Sequence, residues 1–399
     1  MTEPRHSVHP VIWRAPESDG TSTSLELFYD LVFAFTITQV SHVLIRNLSW
    51  KGAVEAGIVL LGAWWSWNYT TWFTDEFDGD TIPIRLLMFG LMALSLLMSV
   101  AIPEAFGPRG LLFALAYVAI QMGRHGFLAF VTAGRGSIER ERALNILIWF
   151  SFSGVFWIGG AFVQNNARIA LWIVALFIDY VAPLSTYPVP RRRRLTTEAW
   201  AVSPRHFSDR FASFIILTLG ETIAITGATM TLAALSFSRS TAFILSFLGS
   251  AAFWWLYFAR ASDASWFLSR AQGRTSVARD AFTYGHVLLV AGILLAAVGD
   301  EFVLEHPLAA LSAREFLPVM LGPVVFLLAQ VFIGWRISGA IERDRLTAAL
   351  CVIVLGVVAW TLGWPASLVS GAILIVLAAV LAIHIWERPA AHDREAGRA

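Results

Sequence analysis

The sequence has few charged residues and almost no cysteine. Charged residues make up 14% of its 399 positions, against about 25% in an ordinary soluble domain. The single cysteine, Cys351, can form no intrachain disulfide, so cysteine usage does not indicate a redox compartment. The formal net charge of +1 gives no electrostatic support for binding nucleic acid, and we expect no nucleic-acid partner.

Several motifs of familiar enzymes are also missing. The sequence contains no Gly-Lys-Ser/Thr phosphate loop, no His-Glu-x-x-His zinc pair, no cysteine cluster and no Gly-x-Ser-x-Gly nucleophile elbow. We therefore expect no cofactor, no bound metal and no catalytic residue, and the sequence favours a protein that is not an enzyme.

Hydrophobic residues are in excess. They make up 57% of the chain, with 17 Trp and 29 Phe, and the mean hydropathy is +0.65. About 20 apolar residues span a bilayer as a helix. Twelve such segments predict an all-α, polytopic integral membrane protein. They are 26–46, 53–73, 83–103, 110–133, 143–164, 167–187, 207–229, 240–261, 281–303, 315–336, 345–363 and 365–386.

The basic residues predict how these spans are oriented. With the N-terminus in the cytoplasm, 21 of the 29 basic residues fall on the cytoplasmic side and six on the other. This distribution predicts a bacterial inner-membrane protein with both termini in the cytoplasm. Arg191–Arg194 are interpreted as a topology anchor beside anionic lipid head groups, with regulation or partner docking as the alternative.

The two halves of the chain share short motifs. Phe28-Tyr29-Asp30 corresponds to Phe207-Ser208-Asp209, and Trp64-Trp65 corresponds to Trp254-Trp255. Because six spans is an even number, the halves should run in the same direction through the membrane as two parallel repeats. The predicted organisation is a cytoplasmic tail (1–24), a first six-helix repeat (25–187), an Arg-rich linker (188–206), a second six-helix repeat (207–386) and a cytoplasmic tail (387–399).

The first predicted span carries two carboxylates, Glu26 and Asp30, on one helical face, followed by Gln39. Arg124 and His125 in the fourth span and Asp179 in the sixth should lie at a similar depth to Asp30. Since an unpaired arginine in a membrane is very unfavourable, we predict that Arg124 pairs with Asp30 or Asp179. The alternative to a functional role is an ion pair that only fixes helix packing.

The seventh span has a polar side. Arg210 and Glu221 lie on one side, beside a hydroxyl stripe that includes Thr218 and Thr222. Close packing of helices is one interpretation of this pattern, and a proton- or cation-binding carboxylate near mid-membrane is the other. The remaining pathway candidates are Asp209, His286, Asp300 and Glu301. The acidic segment 75–80 lacks calcium-loop spacing and is interpreted as a solvated loop.

Two groups of residues carry a family resemblance. The segment from Glu26 to Phe33 with Ile37-Thr38-Gln39, and the later Leu217-Thr218-Leu219-Gly220-Glu221, resemble the paired motifs of the bacterial low temperature requirement protein A family. The resemblance covers most of the chain and implies a multi-pass membrane protein connected with growth in the cold, without a settled biochemical activity.

A shorter resemblance concerns the first and seventh spans. Phe207-Ser208-Asp209, and Phe28-Tyr29-Asp30 with one difference, are similar to the Phe-Ser-Asp motif of a potassium-channel family built from six-helix repeats. The glycine that follows the motif in that family is Leu31 or Arg210 here. The resemblance is used as an analogy only.

Together these features favour passage of a small solute or ion, proton- or cation-linked, with Asp30, Arg124 and Glu221 at its centre. One alternative is a membrane-embedded enzyme that acts on a lipid or apolar substrate with Asp, Glu and His as acid and base. The other is a structural or sensory membrane protein that transports nothing. The expected partners are the lipid bilayer and the solute or ion, and a homo-oligomer stays open.

Overall fold

The computed structural model describes residues 22–79, 81–132, 134, 136–196, 200, 202–232, 234–270 and 275–396. Most of the predicted N-terminal tail, residues 397–399 of the C-terminal tail and residues 197–199 and 201 of the predicted linker lie outside the described residues. Within those ranges the chain forms twelve helices and no strand, which confirms the all-α prediction. The first six are α1 (Ser24–Arg46), α2 (Trp50–Glu76), α3 (Ile82–Ala101), α4 (Gly110–Phe127), α5 (Ile138–Ala161) and α6 (Asn165–Val181).

The second six helices follow the Arg-rich segment. They are α7 (Pro204–Leu232), α8 (Phe237–Arg270), α9 (Thr275–Glu305), α10 (Ala313–Ser338), α11 (Arg343–Leu362) and α12 (Ala366–Ala396). Helix α9 contains a π-helical segment at Arg279–Gly285, and a second π-helical segment, Leu128–Thr132, continues α4.

Ten of these helices are long and apolar enough to cross a membrane, and α2 and α6 are the two that fall short. Many apolar side chains on the ten are exposed, as Leu86, Phe152, Val354 and Ile375 show. An exposed apolar surface of this extent belongs against lipid rather than water. The chain is therefore a multi-pass membrane protein, as its composition predicts.

Helix α2 is less apolar because protein surrounds it. Residues 62–75 are buried except for Trp72, and six of the buried side chains are polar. These six are Ser66, Asn68, Thr70, Thr71, Thr74 and Asp75. A helix that contacts other helices on every side needs no apolar face toward lipid, and its polar groups can serve buried partners.

The described chain divides into two compact units. Unit 1 comprises the described residues up to Phe33 together with Gly62–Arg210, and unit 2 comprises Ala34–Leu61 with the described residues from Phe211 onward. Each of the helices α1, α2 and α7 is divided between the two units, with one part in unit 1 and the other part in unit 2. The core of unit 1 is rich in fully buried tryptophan, with Trp64, Trp65, Trp67, Trp157 and Trp172 each at most 2% exposed.

Local signals in the sequence account for several helix ends. At α5, the Ser137 side chain accepts a hydrogen bond from the backbone N–H of Arg140. At α10, Ser312 and Glu315 form a capping box, and Gly339 ends the helix in the left-handed conformation at φ 77°. Each arrangement satisfies backbone groups that a helix end leaves without partners.

Glycines bring α9 and α10 into backbone contact within unit 2. A Cβ atom on Gly292 would lie 2.7 Å from the backbone N of Phe326, and one on Gly299 would lie 2.8 Å from that of Val319. A Cβ on Gly322 would lie 2.5 Å from the backbone N of Ala296. Small residues at such crossings allow close packing of helices in membranes.

This packing predicts the effect of adding one methyl group. We expect Gly299→Ala to destabilise the protein by about 1–3 kcal/mol because the new Cβ overlaps the α10 backbone. Gly90→Ala is the matched control, since a Cβ on Gly90 of α3 meets nothing within 4 Å. Thermal unfolding of the detergent-purified protein should show a lower midpoint for Gly299→Ala alone. Equal midpoints for the two variants would contradict the contact.

Candidate functional site

The pairing partner of Asp30 is Arg210. In unit 1, Nη2 of Arg210 donates to Oδ1 of Asp30 at 2.7 Å, and Nε1 of Trp67 donates to the same oxygen at 2.7 Å. Both ionic side chains are fully buried. The Arg210 guanidinium also lies 5.9 Å from the centre of the Trp67 ring, within cation–π range. Helices α1, α2 and α7 thus meet at one charge pair.

The prediction that Arg124 pairs with Asp30 or Asp179 is wrong. Arg124 donates to the Ser66 carbonyl oxygen at 3.3 Å, to Oγ1 of Thr70 at 2.8 Å and to the Gln121 amide oxygen. No carboxylate in the described part of the chain forms an ion pair with it. The physical reason is that α2 presents neutral oxygens at this depth, and these solvate the guanidinium in place of an anion.

Asp179 is held by neutral donors. Its Oδ2 accepts hydrogen bonds from the Tyr117 hydroxyl at 2.6 Å and from Nε1 of Trp157 at 3.0 Å. The side chain is 2% exposed. His125, also buried, contacts the Gln121 carbonyl oxygen through Nδ1 at 3.0 Å. Arg124, His125 and Asp179 therefore belong to unit 1, where Arg124 and His125 share the partner Gln121 and Asp179 is bound by Tyr117 and Trp157.

A buried histidine joins Glu26 to an acidic residue that the sequence interpretation treats as solvated. Nδ1 of His206 lies 2.8 Å from Oδ1 of Asp75, and its Nε2 lies 3.0 Å from Oε1 of Glu26. The backbone N–H of Ser203 donates to the other Asp75 oxygen at 2.8 Å. The solvated-loop interpretation is wrong for Asp75, which is 4% exposed, because α2 extends through this residue into the core of unit 1.

The protonation of this cluster follows from counting hydrogens. A neutral imidazole has one N–H and can donate at only one of its two nitrogens. Both nitrogens of His206 face carboxylate oxygens, so the contacts require either an imidazolium or a proton on one carboxyl group. Sequence reasoning missed His206 and Asp75, and the available signal is that each lies at the edge of an apolar segment, His206 next to Phe207 and Asp75 two residues after Phe73.

Glu221 of unit 2 has a different environment. Its Oε2 accepts a hydrogen bond from Oγ1 of Thr38 at 2.6 Å. Its Oε1 is buried and has no hydrogen-bond partner among the described residues. No basic side chain in the described part of the chain forms an ion pair with Glu221. Gln39, next to Thr38 on α1, is half-buried.

The hydroxyl stripe of α7 mostly bonds its own helix. Thr218 donates to the Phe214 carbonyl at 2.9 Å, and Thr226 donates to the Thr222 carbonyl at 2.5 Å. Thr222 donates to the Leu219 carbonyl at 2.7 Å and lies 2.6 Å from the Ser250 hydroxyl of α8. Bonding of this kind to preceding carbonyls is common for Ser and Thr inside helices.

The other candidates of unit 2 lie on α9. Nε2 of His286 is 3.0 Å from the Tyr257 hydroxyl, and its ring stacks on Phe282 with centroids 4.9 Å apart. Asp300 lines a cavity with Thr222 and Ser250, while Glu301 is partly buried. Asp209, in unit 1, is half-buried. The described side chains contain no group of three or more His, Cys, Asp or Glu arranged to hold a metal ion.

The Asp30–Arg210 pair makes a direct prediction about stability. We expect Asp30→Asn and Arg210→Met each to destabilise the protein by about 3–5 kcal/mol, because each leaves one buried charge without its partner. The double variant should lose much less than the sum, as measured by the thermal midpoint in detergent. Asp209→Asn is the neighbouring control and should change little. Additive losses would show that the two side chains do not interact.

Comparison with known proteins places the chain in a family. The sequence model described as Bacterial low temperature requirement A protein (LtrA) matches residues 21–383. The chain is 34% identical over 382 residues to Uncharacterized protein RA0937 of Rhizobium meliloti (strain 1021), covering 94% of this chain and 91% of that protein. No solved structure matches the chain. The resemblance in the two motifs is thereby confirmed, and the chain belongs to the bacterial low temperature requirement A family.

Proposed function

We propose that this protein moves a small ion or polar solute across the membrane and that Glu221 lies on its pathway. The observation that supports the proposal is the buried Oε1 of Glu221, which has no hydrogen-bond partner among the described residues. Glu221 is 4% exposed and sits well inside a helix of 29 residues that can cross a membrane. Such a carboxylate is unfavourable for folding, and in membrane helices it typically marks an ion or proton pathway.

The surroundings of Glu221 favour this role over packing alone. Thr218 and Thr226 use their hydroxyl hydrogens on carbonyls of α7, so they give Glu221 no hydrogen bond. Thr38 supplies one donor to one oxygen. Asp30 and Asp179 also each have one carboxylate oxygen without a hydrogen-bond partner among the described residues, but two donors meet their other oxygen. Glu221 is met by a single neutral hydroxyl, and this scarcity of partners suits a residue that binds and releases a cation or proton.

Asp30 and Arg124 then have a supporting role. Each is fully buried and hydrogen-bonded within unit 1, Asp30 to Arg210 and Trp67, Arg124 to Thr70 and Gln121. Buried charges that have polar partners of this kind can fix the arrangement of helices. In this proposal they position α1, α2 and α7 and do not carry the solute.

The proposal includes a bacterial inner membrane location, both termini in the cytoplasm and two parallel six-helix repeats. The basic residues support the orientation, with 21 on the proposed cytoplasmic side and six on the other. The paired motifs support the repeat, although the environments differ. Trp64 and Trp65 are buried, whereas Trp254 and Trp255 are about half exposed. The second pair therefore faces outward from its unit.

Flux through liposomes tests the pathway. We expect purified protein in liposomes to give proton-linked flux under an imposed Na⁺ or K⁺ gradient, recorded with an internal pH-sensitive dye and compared with choline. Glu221→Gln should reduce this flux by about tenfold or more, since an amide carries neither the charge nor the exchangeable proton.

The control for this experiment is Glu305→Gln. Glu305 is an exposed carboxylate at the end of α9, and its loss should leave the flux unchanged. Wild-type flux no greater than that of empty liposomes under any gradient would overturn the transport proposal. Equal flux in wild type and Glu221→Gln would remove Glu221 from the pathway.

A further inference from the structure

Unit 2 contains a cavity bordered by five helices, α7, α8, α9, α10 and α12. Its volume is about 40 Å³, which is room for a small ion with a water molecule. Most of its wall is apolar. The polar side chains in the wall are Asp300, Thr222, Ser250 and Ser370, which come from four different helices. Oxygen atoms are thus gathered around one small space inside an apolar unit.

Asp300 is a carboxyl group with no basic neighbour in an ion pair in the described part of the chain. Its polar neighbour is the Ser246 hydroxyl of α8, a buried oxygen without a well-aligned hydrogen bond in the described part of the chain. Asp300 is partly buried, and an ionised carboxylate in such a place is costly, so the group is either protonated or balanced by a cation.

The Thr222 and Ser250 hydroxyls that line the cavity offer lone pairs and no hydrogens. Thr222 donates to the Leu219 carbonyl at 2.7 Å, Ser250 donates to the Ser246 carbonyl at 3.1 Å, and the two hydroxyl oxygens lie 2.6 Å apart. Two hydrogens must serve three contacts, because each hydroxyl has only one. Neither hydroxyl therefore has a hydrogen left for Asp300, and both present acceptor oxygens to the cavity.

Proline leaves one backbone carbonyl oxygen without its usual hydrogen-bond donor. Pro323 lies inside α10 and has no N–H, so the carbonyl of Val319, four residues earlier, lacks its usual intrahelical donor. Val319 and Pro323 both line the cavity. Backbone carbonyls released in this way coordinate cations in membrane proteins. The residues that line the cavity therefore include one carboxylate, three hydroxyls and one residue whose carbonyl lacks its intrahelical donor.

We propose that this cavity binds one partly dehydrated monovalent alkali cation, with Asp300 balancing its charge and the oxygens of Thr222, Ser250, Ser370 and Val319 replacing part of its hydration shell. A single carboxylate matches a single positive charge, whereas divalent cations are held by several. The identification of this cation as the transported or coupling ion rests on the proposed function. The binding site itself does not.

Cation binding is measurable without transport. A ligand that binds the folded state raises the unfolding midpoint as its concentration increases. We expect the midpoint of the full-length protein in detergent to rise with NaCl or KCl, relative to choline chloride at the same ionic strength. Asp300→Asn should weaken the apparent affinity by about tenfold or more, since it removes a charge-assisted contact. Glu305→Gln, on the same helix and outside the cavity, should keep the wild-type response.

A second variant covers the case in which Asp300→Asn does not fold. Ser370→Ala removes one oxygen from the cavity wall with little change in volume, and we expect a several-fold weaker cation response from a folded protein. Identical midpoints in alkali and choline salts would overturn the site, as would a wild-type response in both cavity variants. If cations stabilise the protein but no flux is seen in liposomes, the site is supported and transport is rejected. If flux is seen but cations do not stabilise the protein, transport is supported and the site is rejected.

Discussion

The cost of placing charge away from water is the constraint on which this structure depends. Three buried acidic residues of unit 1 each have polar partners: Arg210 and Trp67 for Asp30, His206 for Glu26, Tyr117 and Trp157 for Asp179. Trp67 comes from α2, which also supplies the Ser66 carbonyl and the Thr70 hydroxyl that accept hydrogen bonds from Arg124. Helix α2 is therefore only moderately apolar although it lies in the core of unit 1. The tryptophans of that core supply both apolar surface and N–H donors.

Unit 2 also contains carboxylates without a basic partner among the described residues. Asp280 and Glu342 pair with arginines, but Glu221 and Asp300 have hydroxyl neighbours and no basic partner in the described part of the chain. Around them, α9 and α10 approach to backbone contact through glycine, and Pro323 interrupts the hydrogen bonding of α10. In the proposed cation site, this close packing would keep the cavity open, because close-packed helices resist collapse.

The sequence was sufficient for the architecture and for the burial of Asp30, because hydrophobic runs and the cost of buried charge act locally. It was insufficient for the partners. Their similar depth in the membrane was compatible with contact between Arg124 and Asp30, yet Asp30 pairs with Arg210. Which helices lie side by side is decided by packing, and the periodicity of the sequence does not reveal it. Asp75 was misread for a related reason: an acidic run does not show where the preceding helix ends. The cavity around Asp300 draws on α7, α8, α9, α10 and α12, and its existence depends on three-dimensional packing.

The contacts of His206 have a consequence for three segments at once. Its imidazole touches the first turn of α1 through Glu26, the last turn of α2 through Asp75, and belongs to the first turn of α7. Losing the shared proton would leave two carboxylates facing a ring that can satisfy only one of them. The repulsion would act on three helix ends at once. A single bound proton at this end of unit 1 therefore stabilises the contact among all three.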